Sequence, residues 1–199
     1  MRAMRTPHYL LVAAAVMFIG VACGSKQPAP PAAEANAYTP TATIKDVMDS
    51  MVDPSADFIW ESVATIVTKK GIDERRPRTD EEWKMVRRAA ITLLESTNLL
   101  IMEGRAVAKP GEKSENPGIE LSPEAIRMVM DNDPDTLVKL AGALHDATMK
   151  AMAAIDAKNA DQLSDAGESI DNACENCHLK YWYPPDAVKV EGAASVRKK

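Results

Sequence analysis

Apolar residues recur at intervals of three and four from about Thr43 to Trp182. This spacing marks one face of an α-helix, whereas alternation with a period of two would indicate a half-buried strand. No run of alternating β-branched residues stands out in this part of the chain. The pattern therefore predicts an all-α protein without strands.

Proline and glycine divide the first part of this pattern. A helix that begins near Thr43 is predicted to be interrupted at Asp53–Pro54, because proline removes a backbone donor and clashes with the preceding turn. Asp53 would cap a second helix with Pro54 at its first position. Gly71 would end that helix, and residues 72–78 would form a loop.

Later helix boundaries carry capping signals. Thr79 with Glu82 makes a capping box, and its helix is predicted to end at Gly104 or at Lys109–Gly111. Three further helices are predicted to begin at Ser122–Pro123, at Asp133–Pro134 and at about Ala160, and the last of them to end near Trp182. Four principal amphipathic helices with modest connections predict an antiparallel four-helix bundle over residues 43–183.

The N-terminus resembles an export signal. Arg2 and Arg5 precede an apolar run that is too short to span a bilayer, so residues 1–22 are predicted to be a cleaved signal peptide. The segment around Cys23 resembles a bacterial lipoprotein box, although Gly20 replaces the usual aliphatic residue. The expected location is the periplasm, with Cys23 carrying a lipid anchor. The alternative is an ordinary secretory leader with an incidental cysteine.

The remaining segments are not predicted to join the core. Residues 23–42 are rich in alanine and proline and resemble a tether, and residues 184–199 form a flexible tail. The chain has a formal net charge of −5, and a net negative charge disfavours binding to nucleic acid. No second long apolar run follows the leader, so membrane contact is expected only through the lipid.

The chemistry of the chain is concentrated in Cys174–His178, a C-x-x-C-H box on the last predicted helix. This motif is the attachment signal for a c-type haem. Two thiols at i and i+3 can each bond to one vinyl group, and the imidazole at i+4 can bind the iron from the same helix face. Cys174 and Cys177 are therefore predicted to hold one covalent haem c, with His178 as the proximal iron ligand.

Three other uses of the box are weaker. Structural zinc needs four ligands and the box supplies three, which leaves His145, Cys23 or His8 as the fourth. A thioredoxin-like redox pair would lie near a βαβ pattern. A disulfide between cysteines one turn apart on a helix has unfavourable geometry. His145 lies beside the apolar stripe of its helix and is expected to be a solvated or rim histidine.

A C-x-x-C-H box near the C-terminus of a four-helix chain resembles the class II c-type cytochromes, the cytochrome c-prime family. Class I cytochromes c place the box near the N-terminus and follow it with a distal methionine. Further stretches that resemble periplasmic members of this superfamily are Val47–Met48, Asp53–Asp57 with Trp60, Arg76–Trp83 and Ser96–Leu100.

The resemblance implies that the first helix supplies the residue facing the distal side of the iron. That residue is apolar in high-spin members and methionine in low-spin members. Met48 is the first candidate for this ligand and Met51 the second, and the alternative for either is core packing. The resemblance also implies a possible homodimer formed through the first two helices.

Three functions follow as expectations. The first is a one-electron carrier for periplasmic or membrane-bound redox proteins, with His and Met iron ligands. The second is a five-coordinate protein that binds NO or CO. The third is a non-redox lipoprotein subunit of a larger assembly. No enzyme is predicted, because no second acid–base constellation stands out.

Overall fold

The computed structural model describes residues 38–186, and within them the chain is mostly helical. The helices are α1 (Ile44–Val47), α2 (Asp53–Ser62), α3 (Asp80–Leu100), α4 (Pro123–Asn132), α5 (Pro134–Asp156) and α6 (Ala160–Tyr181). The predicted all-α character is thus confirmed in its main feature. The signal peptide, Cys23, most of the tether and most of the tail lie outside the described residues.

The predicted interruption at Asp53–Pro54 is wrong. A π-helical turn, Met48–Val52, joins α1 to α2 without a break, and Asp53 keeps helical dihedrals with φ −58° and ψ −53°. The Asp53 N–H donates to the Met48 carbonyl, five residues earlier. This wider turn precedes Pro54, whose ring would clash with the preceding turn of a regular α-helix. The Asp53 side chain makes no capping hydrogen bond in this arrangement.

A β-hairpin replaces the predicted second half of α2. The helix ends at Ser62, and strand β1 (Thr65–Thr68) pairs antiparallel with β2 (Gly71–Glu74). Gly71 has φ +130° at the turn and so serves the hairpin, not a helix end. The expectations of no strands, of a helix ending at Gly71 and of a loop over 72–78 are therefore wrong here. The run Thr65–Thr68 contains only β-branched residues, which are typical of strands.

The capped helix starts are confirmed. The Thr79 hydroxyl accepts a hydrogen bond from the Glu82 N–H at 3.2 Å, and the Glu82 carboxylate accepts one from the Thr79 N–H at 2.8 Å. Side chains also cap α4, α5 and α6, from Ser122, Asp133 and Asn159. The end of α3 lies at Leu100, four residues before the predicted Gly104. Each cap satisfies orphan N–H groups of the first helical turn, so local sequence sets these positions.

The core lies among α2, α3, α5 and α6. Helix α5 packs along both α3 and α6, and α2 contacts α3 and α6. Fully buried side chains from each of these helices meet in one cluster, which includes Ile59, Leu93, Ala151, Leu163 and Ile170. Burying each of the larger aliphatic side chains contributes about 1.5–3 kcal/mol. This cluster holds the C-terminal half of α6 in a fixed position relative to α2.

Gly167 allows α2 to approach α6 closely. The Trp60 indole of α2 lies against this glycine, and its Nε1–H donates to the Gly167 carbonyl at 3.1 Å. A Cβ atom on Gly167 would stand 3.1 Å from Trp60 Cδ1, closer than ordinary van der Waals contact. Gly167 therefore has a packing role with a neighbouring helix.

A pair of glycine substitutions tests this contact. Gly142 of α5 is exposed, and a Cβ atom added to it would meet no other group within 4 Å, so Gly142→Ala should stabilise the protein by about 0.5–1 kcal/mol through helix propensity. Gly167→Ala should gain the same propensity but lose about 1 kcal/mol or more through overpacking against Trp60. Urea unfolding measures both variants, and an equal gain in both would contradict the packing role.

Candidate functional site

The C-x-x-C-H box lies near the end of α6. Cys174, Cys177 and His178 follow the spacing i, i+3 and i+4, so one helix face presents all three. The two cysteines are free thiols that are half-buried and pack against the core. Burial raises the pKa of Cys174 to about 12 and that of Cys177 to about 11. Both thiols are therefore protonated at neutral pH.

A cavity of about 290 Å³ adjoins the box. Cys177 and His178 line it from α6, and Met48 lines it from the π-helical turn. Its apolar walls come from α1, from the segment between α3 and α4, and from α4, with Ile44, Val107, Leu121, Ile126 and Met130. Cys174 does not line this cavity and packs on the core one turn earlier. The structure thus brings together three of the predicted site residues around one apolar space.

The π-helical turn separates the two candidate methionines. In a regular α-helix Met51, four residues after the buried Val47, would continue the buried face. The wider turn adds one residue, so the next buried side chain is Val52. Both methionines are half-buried, but Met48 lines the cavity and Met51 does not. Of the two methionines, the geometry therefore favours Met48 as the side chain opposite the box.

Burial lowers the pKa of His178, and the nearby Asp53 carboxylate opposes that shift. The imidazole is therefore mostly neutral at neutral pH, which is the form that binds a metal. Asp53 lines the same cavity, and partial desolvation there raises its pKa. The sequence assigned Asp53 a capping role and did not reveal its place beside His178.

Aromatic side chains surround His178 at the end of α6. The Trp182 ring lies edge-on to the imidazole with centroids 4.9 Å apart, and the Tyr183 ring lies at 5.8 Å. The Tyr183 hydroxyl donates to Glu175 Oε2 at 2.7 Å, which fixes this ring over the box. These contacts restrict the orientation of the imidazole.

The segment between α3 and α4 forms a wall of the cavity and is held at both ends. The carbonyls of Ala106 and Val107 accept from the first N–H groups of α1, those of Ile44 and Lys45, at 2.8 and 3.0 Å. At the other end, the Leu121 N–H donates to the Trp182 carbonyl at 2.7 Å. These bonds join residues that are distant along the chain, so local sequence does not reveal them.

Arg105 secures this wall from inside. Its guanidinium is almost fully buried, and it donates to the carbonyls of Leu99 and Ala42 and to the Met102 sulfur. Its Leu99 contact adds a donor to a carbonyl at the end of α3 that the Met102 N–H also reaches, at 3.4 Å, and its Ala42 contact holds the chain just before α1. One side chain therefore joins the end of α3 to the start of the helix that carries Met48.

The other predicted residues lie apart from the site or outside the described chain. His145 lies partly exposed on α5, with Nδ1 3.6 Å from Asp146 Oδ1, and does not line the cavity. Cys23 and His8 are not among the described residues. Within 38–186, no group of three or more His, Cys, Asp or Glu side chains is arranged to hold a metal ion through protein ligands alone.

No protein-family model, curated protein or solved structure matches the chain. Within the described part of the chain, no helix is both long enough and apolar enough to cross a bilayer. The function of the chain is therefore inferred from its own residues.

The donor set of the site suits a covalent iron porphyrin. Two free thiols and an imidazole share a face of α6, and the thioether of Met48 lines the same cavity as Cys177 and His178. Thioether bonds to a porphyrin would use the thiols, and the imidazole and the Met48 sulfur are both ligands that haem iron accepts.

The wall held by Arg105 yields a stability prediction. Arg105→Met should lower the free energy of unfolding by about 1–3 kcal/mol, because it removes the hydrogen bonds that the buried guanidinium donates to the carbonyls of Ala42 and Leu99. Arg88→Met is the matched control, since the Arg88 side chain is 63% exposed and should change stability by about 0.5 kcal/mol or less. Urea unfolding measures both. An Arg105 variant as stable as the Arg88 variant would contradict the anchoring role.

Proposed function

We propose that the chain is a periplasmic c-type haem protein that carries single electrons, with its iron held between His178 and Met48. The observation that carries this proposal is that Cys177, His178 and Met48 line one apolar cavity. These residues come from opposite ends of the described chain. Their meeting matches the ligand arrangement implied by the resemblance to low-spin class II c-type cytochromes.

Cys174 and Cys177 would hold the cofactor covalently. Each thiol would bond through its sulfur to one vinyl carbon, and its proton would go to the other carbon of that vinyl group. Both thiols are free and pack against the core, so neither is committed to another bond. Helix α6 is itself packed against α5 and α2, so the attachment site belongs to a rigid element.

His178 and Met48 would bind the iron on opposite sides. When bound, the haem supplies a one-electron Fe(III)/Fe(II) couple, and a thioether ligand raises its potential relative to bis-histidine ligation. The aromatic rings of Trp182 and Tyr183 restrict the imidazole, and the π-helical turn directs Met48 to the cavity wall. Apolar side chains form much of the cavity wall, and such surroundings support electron transfer with little reorganisation.

The proposed architecture is an antiparallel four-helix bundle over residues 43–183. The continuous helix of α1 and α2 would be its first member, followed by α3, α5 and α6, with α4 beside the cofactor. The contacts of α5 with α3 and α6, and of α2 with α3 and α6, support this assignment. The proposed partners are periplasmic or membrane-bound redox proteins, met through small transient contacts near the membrane to which Cys23 would anchor the chain.

Optical spectra of the matured protein test the iron ligands. Met48→Ala should abolish the long-wavelength charge-transfer band of the oxidised protein, because that band requires a methionine–iron bond. The same variant should bind CO rapidly when reduced, since its sixth position no longer has a protein ligand. Met51→Ala is the matched control and should leave both the band and the slow reaction with CO unchanged.

Two results would overturn the assignment of Met48. Loss of the band in Met51→Ala, with Met48→Ala silent, would show that the π-helical turn does not select the ligand. Rapid CO binding by the wild-type protein, with no charge-transfer band, would favour the five-coordinate gas-binding function instead.

A further inference from the structure

Lys45 and Lys113 line the cavity, and Lys109 lies in the turn just before Lys113. Lys45 Nζ is 2.9 Å from Asp49 and 3.0 Å from Glu115, and Lys109 is ion-paired with Asp46 at 2.8 Å. Lys113 lines the cavity and forms no ion pair with any residue of 38–186. It is therefore the lysine of this group whose charge remains available to a ligand.

A fixed turn carries Lys113 to this position. The Glu112 N–H donates to the Lys109 carbonyl at 3.1 Å, and the Glu112 carboxylate accepts from the Lys109 N–H at 2.9 Å. Gly111 between them has φ +81°, a conformation that favours glycine. Lys113 and Ser114 follow directly and both line the cavity. The turn belongs to the wall that hydrogen bonds hold to α1 and to the end of α6.

The other charges on the cavity wall are mainly acidic. Four carboxylates line it, from Asp49, Asp53, Glu115 and Glu120, whereas its cationic residues are Lys45, Lys113 and, when protonated, His178. An anionic group brought into this cavity is repelled by those carboxylates unless it lies near an available cation. Lys45 is already ion-paired with two of them, so Lys113 with the Ser114 hydroxyl is the favourable place for a carboxylate ligand.

We infer that Lys113, assisted by Ser114, binds a propionate carboxylate of the haem. This inference rests on the proposed function, because the propionates are the anionic groups that an attached haem would bring to the cavity. An ion pair with Lys113 keeps the propionate ionised and lowers its pKa. It also places a positive charge near the iron, which disfavours the oxidised state and raises the reduction potential.

The test uses the full chain matured with covalent haem, in three variants. Lys113→Gln removes the charge, Lys113→Arg keeps it, and Lys109→Gln removes a charge from the same turn that is held by Asp46 and does not line the cavity. Two measurements are made on each: the propionate bending band in the resonance Raman spectrum and the reduction potential as a function of pH.

In Lys113→Gln we expect the propionate Raman band to shift. The inflection that propionate titration gives in the plot of reduction potential against pH should move up by about one pH unit, which is a tenfold change in the proton dissociation constant. The potential should also fall at neutral pH. Lys113→Arg should restore the wild-type values, and Lys109→Gln should leave the Raman band and the inflection unchanged.

Equal changes in Lys113→Gln and Lys109→Gln would show a general effect of net charge and would overturn the inference. Unchanged spectra and inflections in Lys113→Gln would overturn it as well. Either result leaves the proposed function intact, since the haem is then present and redox-active. A wild-type protein that matures without pigment would overturn both the proposed function and this inference.

Discussion

The π-helical turn between Val47 and Val52 takes in one residue more than a regular α-helical turn. This extra residue determines which methionine lines the cavity together with His178. The π-helical turn keeps Val47 and Val52 both buried, although they are five residues apart. Because the extra residue is absorbed there, Met48 stays on the cavity wall and Met51 turns away from it. π-helical turns often occur at functional sites, and in this chain the turn lies beside the C-x-x-C-H box.

The remainder of the site depends on tertiary contacts that hold two distant parts of the chain together. The buried Arg105 joins the end of α3 to the residue that precedes α1, and the Leu121 amide joins the cavity wall to the end of α6. Trp60 packs on Gly167 and sets the distance between α2 and α6. Together these contacts keep Met48 and His178 on the lining of one cavity.

Local signals in the sequence were enough to predict most helix starts. The caps at Thr79, Ser122 and Asp133 act within one turn, so neighbouring residues determine them. The helical spacing of Cys174, Cys177 and His178 likewise predicted their common face. The hairpin was missed because its strands have only four residues each, although the β-branched run Thr65–Thr68 was a signal for it.

Two features of the site could not be read from periodicity. A regular helical repeat places Met51 on the same face as Met48. In the structure Val52 is buried instead of Met51, because Val52 packs against the core. The cavity wall between α3 and α4 is irregular, and its position depends on hydrogen bonds between residues more than 60 positions apart along the chain. Lys113 and Asp53 line the cavity only because these tertiary contacts bring their segments together.

The most direct test of the central claim is whether a haem is bonded to the two cysteine sulfurs. Protein matured with c-type assembly machinery would be extracted with acid acetone, digested, and examined by mass spectrometry. We predict that the pigment stays with the protein and that the peptide containing Cys174–His178 carries the mass of one haem. Colourless protein, or pigment that is lost to the solvent while this peptide keeps two free thiols, would contradict the account.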